Sequence, residues 1–268
     1  FAAARLGTFL FNGTRFLLGG VLLALIFRRL PWKTGRKNLP LVALAGTLLF
    51  VASGLQQAGL ITTTASNAGF ITGIYVMFVP VILVVVFKKR QPWVIWLAAL
   101  VAVTGGALLS TGGEFRPAPG DVLELVGAVV WAAHVVLIGY LSRKMDVIQM
   151  SIGQFLVCGV LNLTLGLAFE SATLPGLSTT WMAILYSGIF PVAIGFTLQA
   201  VGQRTAPTAD AAIILSTEAV FAALFGFLIL SERLTPFQLV GCVFIMGAIL
   251  LAQMGSPTPA PAESTPPA

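Results

Sequence analysis

Between Thr8 and Gln253 the chain alternates long apolar runs with short polar or basic breaks, and nine of the runs are long enough to cross a membrane. A helical crossing takes roughly 20 mostly apolar residues at a rise of about 1.5 Å each. The approximate limits are 8–28, 40–60, 65–87, 92–111, 121–142, 147–169, 179–201, 207–230 and 235–253. The runs are continuous and lack the residue-by-residue alternation of a membrane barrel strand, whereas a helix satisfies its own backbone polar groups in lipid. The opening FAAARL reads as the end of one more span. The expected whole is an all-α membrane protein of ten helices, with most of the first helix missing from this chain.

Composition strengthens that picture. Apolar residues make up 57% of the 268 residues and charged residues 9%, far from the balance of a water-soluble domain. The net charge of +6 does not point to nucleic acid, because the basic residues sit in the breaks between spans. Arg28, Arg29, Lys33, Arg36 and Lys37 share one break, Lys88, Lys89 and Arg90 a second, Arg143 and Lys144 a third, and Arg204 lies in a fourth. If a helix precedes the first run, all four breaks fall on one side, and only Arg5, Arg116 and Arg233 lie on the other. Eleven against three predicts that the richer side is cytoplasmic, in a bacterial-type inner (plasma) membrane with the C-terminal tail inside.

The final segment, GSPTPAPAESTPPA at 255–268, is rich in Pro, Ala and Ser and is expected to be a disordered tail. Cys158 and Cys242 fall within spans, with no spacing for a disulfide framework or a Cys/His metal site, and read as packing residues. No cofactor is expected.

The chain repeats itself. Leu55, Gln56, Gly59, Thr62, Ala68, Ile71, Phe78 and Arg90 recur at a constant offset as Leu198, Gln199, Gly202, Thr205, Ala211, Ile214, Phe221 and Arg233, and RFLLGGVL at Arg15 resembles QFLVCGVL at Gln154. The division falls near Pro117 to Gly120, giving a first repeat over 1–116 and a second over 120–254. An odd number of helices per half turns the second half over, and the charges agree. Lys88 to Arg90 fall inside, whereas Ser231, Glu232 and Arg233 fall outside. Inverted repeats of this kind recur in secondary transporters, where two interconvertible halves present one central site to either side.

Three stretches carry a more specific likeness: TASNAGFITGIYVMFVP at Thr64, GDVLELVGAVVWAAHVVLIGYLSRK at Gly120 and APTADAAIILSTEAVFAALFGFLILSERLTP at Ala206. Together they resemble the EamA-type permeases of the drug/metabolite transporter superfamily, from about Thr14 to Ala252. The resemblance implies a five-plus-five arrangement of ten helices around a central cavity lined by all but the fifth and tenth, and movement of small metabolites by alternating access. The usual Gly-Glu after the 65–87 span is Lys88 and Lys89 here, although Ser231 and Glu232 keep a near match. Where such proteins often read Leu-Glu-Pro-Val, this chain reads Thr217, Glu218, Ala219, Val220. Loss of the proline is expected to remove a kink.

Ionisable groups inside spans mark either a site or an internal partner. Glu218 lies about eleven residues into the 207–230 span, near mid-membrane at about 1.5 Å per residue. It is either a carboxylate that takes a cation, a proton or a substrate amine, or a hydrogen-bonded Glu that locks its helix to a neighbour. The repeat makes Tyr75 its mate, facing the cavity or packed with its hydroxyl satisfied. His134 is the only histidine. It shares a helix face with Trp131, as part of a proton relay or as a satisfied core residue. Arg15 compensates Glu218, attracts an anion, or snorkels. Gln56 with Gln199, and Asn67 with Asp210, form symmetric polar pairs that serve as gates or as interhelical hydrogen bonds. Ala65, Gly69 and Gly73 form a small-residue line suited to close helix packing.

Three function classes remain in view. A secondary transporter of small metabolites, amino acids among them, fits the repeat. It would draw on a gradient, with H+ as the coupling ion if Glu218 titrates, because no GxxxxGK[ST] phosphate loop is present and KTGRK at Lys33 lacks its spacing. A non-transporting membrane scaffold would preserve the same packing. A membrane-embedded enzyme would need a convergent nucleophile and base or a metal cluster, which one His, two separated Cys and isolated carboxylates do not offer.

Overall fold

The computed structural model describes residues 6–31, 35–112, 114–170, 174–230 and 233–255. Arg5, Lys33, Ser231, Glu232 and the Pro/Ala-rich tail beyond Gly255 lie outside the described residues. Among the described residues there is no strand, and nine helical spans have the length and apolar character to cross a membrane.

The first spans are α1 (Thr8–Ile26) and α2 (Leu39–Gly59). The next is broken into α3 (Ala65–Gly73) and α4 (Tyr75–Val85), followed by α5 (Trp93–Thr111), α6 (Asp121–Leu141) and α7 (Val147–Phe169). The seventh span runs as α8 (Leu174–Ser187), a π-helical stretch Gly188–Phe196 and α9 (Thr197–Gln203). The eighth is broken into α10 (Thr208–Leu215) and α11 (Thr217–Leu230), and α12 (Pro236–Gly255) closes the set.

Three spans expected to be continuous are therefore interrupted. At Ile74 and Ser216 the backbone tightens into i−3 bonding: Ile74 N–H donates to Ile71, Met77 to Ile74, Ser216 to Ile213 and Ala219 to Ser216. The loss of proline at Ala219 was expected to straighten the eighth span, and it does not. The Ser216 and Thr217 hydroxyls donate back to the carbonyls of Ile213 and Ile214, a local competition that bends membrane helices without proline. In the seventh span Pro191 lies inside the π-helical stretch, where a missing N–H is absorbed by the wider turn.

α1 and α7 are repeat mates and lie antiparallel, and each helix offers glycine where the other offers leucine. Leu10 meets Gly166, Gly13 meets Leu163, Leu17 meets Gly159 and Gly20 meets Leu156. A side chain added at Gly13 would come within 2.7 Å of the Leu163 backbone, and one at Gly159 within 2.7 Å of Leu17. α5 and α12 cross at Gly105 and Gly241. There an added Cβ on either glycine would lie 2.6–2.8 Å from the other's carbonyl oxygen.

The buried core is divided accordingly. One cluster joins α4, α5, α6, α10 and α12 around Val79, Ala98, Ala132 and Ile213. Another joins α1, α2, α7 and the π-helical stretch around Phe16, Leu49, Phe155 and Val192.

Side-chain bonds group the connections at two ends. Arg143 donates to the carbonyls of Arg204 and Ala206, and Gln149 donates to that of Pro31, so three of the four basic breaks adjoin one another. At the opposite end Thr63 and Asn67 bond to Asp121, Asn67 donates to the Arg116 carbonyl, and Ala118 N–H donates to Asp121. There too the Glu170 carboxylate accepts from the backbone N–H groups of Phe9 and Leu10 at 3.0 and 2.8 Å, which satisfies donors left open at the start of α1.

Candidate functional site

The two helix breaks face one cavity. Its volume is about 280 Å3, and Tyr75 and Glu218, the first residues of α4 and second of α11, both line it. Gln56 of α2 and Thr72 of α3 contribute polar atoms to the wall, as do Ser110 and Ser216. Apolar groups from α11 complete it together with those of α5 and α12, the fifth and tenth helices of the expected ten, which the family likeness had left out of the wall. Helix breaks at this depth free backbone polar groups that only a water-lined or protein-lined space can satisfy.

Glu218 is exposed to the cavity, whereas Tyr75 is half-buried in its wall. The offset that relates the two halves thus brings an acid and a phenol to one space. Gly69 and Gly73 line the same space, and a side chain added at Gly73 would meet nothing within 4 Å. The small-residue line on α3 was expected to serve close helix packing. It instead leaves room in the cavity, and the close helix crossings lie at Gly105, Gly241 and the α1–α7 seam.

Gln56 is tied into the wall: its Nε2 donates to the Thr72 hydroxyl at 3.3 Å, and Thr72 in turn donates to Oε2 of Glu124 at 2.9 Å. Glu124, one turn into α6, is fully buried behind the wall. Sequence reasoning passed over it, because an acid in the first turn of a helix is ordinarily explained by the helix dipole. Its burial depends on α2 and α3 closing over it, with Gly59 directly against the carboxylate.

The other candidate residues lie elsewhere. Asn67 is buried at the end of the bundle, engaged with Asp121 and the Arg116 carbonyl. Gln199 is half-buried on α9, and Asp210 is buried on α10. Trp131 and His134 share a face of α6, as their spacing predicts, with ring centroids 5.8 Å apart. They belong to an aromatic group centred on Phe196: Trp131 stacks on it at 5.8 Å and 15°, and His134 meets it edge-on. The His134 Nε2 is 2.9 Å from Oε1 of Gln154.

Arg15 is on α1, half-buried, with its Nε donating to Asn12 at 2.9 Å and its guanidinium over the rings of Phe11 and Phe16. Among the described residues the ion pair is Arg116 with Glu114, so Arg15 is not paired with Glu218. Among the described residues no group of three His, Cys, Asp or Glu side chains is disposed to hold a metal ion.

Comparison with known proteins completes the description. The EamA-like transporter family matches residues 1–111 and 118–254. An uncharacterized transporter of Archaeoglobus fulgidus is 30% identical over 257 residues, covering 94% of this chain and 79% of that protein. An uncharacterized transporter of Methanothermobacter thermautotrophicus is 28% identical over 223 residues, covering 79% of this chain and 63% of its own length. A solved crystal structure superposes with a TM-score of 0.77 over 94% of this chain and 90% of the other, at 19% identity. That last likeness concerns the fold alone.

Proposed function

The chain belongs to the EamA-like transporter family, and from that premise we propose that it moves small metabolites, amino acids among them, across an inner membrane by alternating access. Transport as such follows from the family; the substrate class and the mechanism are our reading. The observation that carries it is the meeting of Tyr75 and Glu218 at two repeat-related helix breaks on one cavity. The repeats, 1–116 and 120–254, supply the two halves between which access alternates.

In this reading Glu218 supplies the negative charge that receives a substrate amine or a coupling H+. Tyr75 and Gln56 orient polar groups of the solute, and the glycines of α3 leave room for it. Broken helices of this sort present backbone dipoles and free carbonyls at mid-membrane in secondary transporters. The adjoining basic breaks around Arg28, Arg143 and Arg204 face the cytoplasm. Trp131, His134 and Gln154 serve the packed frame around the cavity.

The test is counterflow of a panel of labelled metabolites, amino acids included, into proteoliposomes containing the full chain, with Glu218→Gln alongside. Saturable uptake that related solutes compete for, lost in the variant, is the expected result. Absence of saturable uptake from a monodisperse sample across the panel overturns the reading, and uptake unchanged in Glu218→Gln removes that carboxylate from it.

A further inference from the structure

Glu124 stands apart from the cavity and from every role assigned above. Its side chain is fully buried, Oε2 accepts from Thr72, and Oε1 has no hydrogen-bond partner among the described residues. Among the described residues no base approaches it. Of the helices packed against α6, α2, α3 and α9 carry no titratable side chain, α4 carries Tyr75 and α10 carries Asp210. Asp121 lies one turn earlier on α6 itself, and Arg116, near that end, pairs with Glu114. A carboxyl group buried without a fixed cation is held neutral by a proton or compensated by a cation that reaches it.

The surroundings select which. A metal ion of the hard class asks for a cage of oxygen acceptors, but Glu124 is met by a donor. The Gln56 amide N–H points to the Thr72 oxygen, and the Thr72 O–H points to Glu124. A hydroxyl both gives and accepts a hydrogen bond. Thr72 therefore touches the cavity on one side and Glu124 on the other.

Resting on the transporter reading, we propose that Glu124 is a second proton-carrying carboxylate of the transport cycle, linked to the Glu218 cavity through Thr72 and Gln56. In one state of the cycle Glu124 takes a proton on Oε2 from the Thr72 hydroxyl, which regains one from cavity water. In the other it returns that proton to water, so that one H+ crosses with each passage and no other bond is made or broken. Substrate touches Glu218, Tyr75 and Gln56; Glu124 lies behind the wall and couples without touching it. Thr72 relays the proton between the cavity and Glu124, and Gln56 positions it.

The experiment uses the full chain in proteoliposomes, with a panel of labelled amino acids as the probe, in two assays: exchange at equal pH and accumulation driven by an imposed pH gradient. Wild type is expected to perform both. Glu124→Gln is expected to keep exchange within about twofold while its driven accumulation falls about tenfold. Thr72→Val is expected to lower driven accumulation more than exchange and to shift its pH profile. Glu218→Gln is expected to lose both.

Driven accumulation that survives Glu124→Gln, or exchange that is lost with it, overturns the inference while leaving the transporter reading standing. Wild type without exchange overturns the transporter reading instead. A second measurement does not depend on the substrate: the infrared difference spectrum between acidic and alkaline buffer is expected to contain a carboxylic-acid carbonyl band missing from Glu124→Gln. A spectrum identical in the variant overturns the inference even where transport is not observed.

Discussion

Tyr75 and Glu218, equivalent positions of the two repeats, both stand just beyond a tightened turn in a broken span and line the same cavity. Removing the charge of the acid is expected to abolish saturable counterflow, with expression and monodispersity unchanged. The gentler Tyr75→Phe keeps the ring and deletes one hydroxyl. It is expected to raise the half-saturating concentration by about three- to tenfold, the size of a single lost hydrogen bond. Equal affinities in wild type and Tyr75→Phe would take the hydroxyl out of the site.

Two glycine substitutions are expected to part ways. Gly241→Leu drives a side chain into the Gly105 carbonyl and the Leu109 backbone, and overpacking of this kind costs about 1–3 kcal/mol or more. Its thermal transition should fall, or the protein should fail to purify as a single species. Gly73→Leu points into open space, so the transition should stay near that of wild type while transport is lost through a filled cavity. A Gly73→Leu protein that unfolds early would place Gly73 in the packing after all.

These glycines also show what the sequence could and could not disclose. A line of small residues on a helix reads the same whether it admits a neighbouring backbone or leaves a void. Ala65, Gly69 and Gly73 therefore could not be told from Gly105 and Gly241 before the helices were placed. The acid and phenol were legible, because a constant offset linked Leu55 to Leu198 and so Tyr75 to Glu218. The break before Glu218 was hidden, since proline is the usual signal and here two hydroxyls, of Ser216 and Thr217, make the bend. Glu124 was hidden for another reason: its burial is created by Gly59 and Thr72, residues more than fifty positions away.

Arg15 offers a sharper test of position than of chemistry. Its contacts are Asn12, Phe11 and Phe16, outside the wall of the cavity. Arg15→Gln is expected to lower the thermal transition, as stacked and hydrogen-bonded contacts are lost, while uptake of anionic and cationic solutes changes in parallel. A selective loss of anions in a flux panel would move Arg15 onto the substrate path.

Glu170 holds the start of α1 through the N–H groups of Phe9 and Leu10. Glu170→Ala should cost about 1–2 kcal/mol, in the range of other lost helix caps, read as a lower midpoint in a detergent unfolding series. Transport per folded molecule should not change, and a loss of flux without a loss of stability would give Glu170 another role.

Sidedness can be read by labelling. Single cysteines at Lys89→Cys and Arg116→Cys, with Cys158 and Cys242 replaced by Ala, lie at the two opposite ends of the bundle. A membrane-impermeant maleimide added to whole cells should modify the second and spare the first until the cells are opened. The reverse pattern would invert the topology.

The leucine-and-glycine seam between α1 and α7, with the crossing of Gly105 and Gly241, has a mechanical consequence. In each seam the partners come from opposite halves of the chain, so the two halves are buttoned together. Sliding along the first seam would require leucines to climb over one another's backbones, and along the second Leu109 and Phe244 would be driven into the facing helix. The compliance needed to open the cavity first to one face and then to the other is thereby steered away from these struts, toward the bent spans at Ile74 and Ser216, where no such teeth engage.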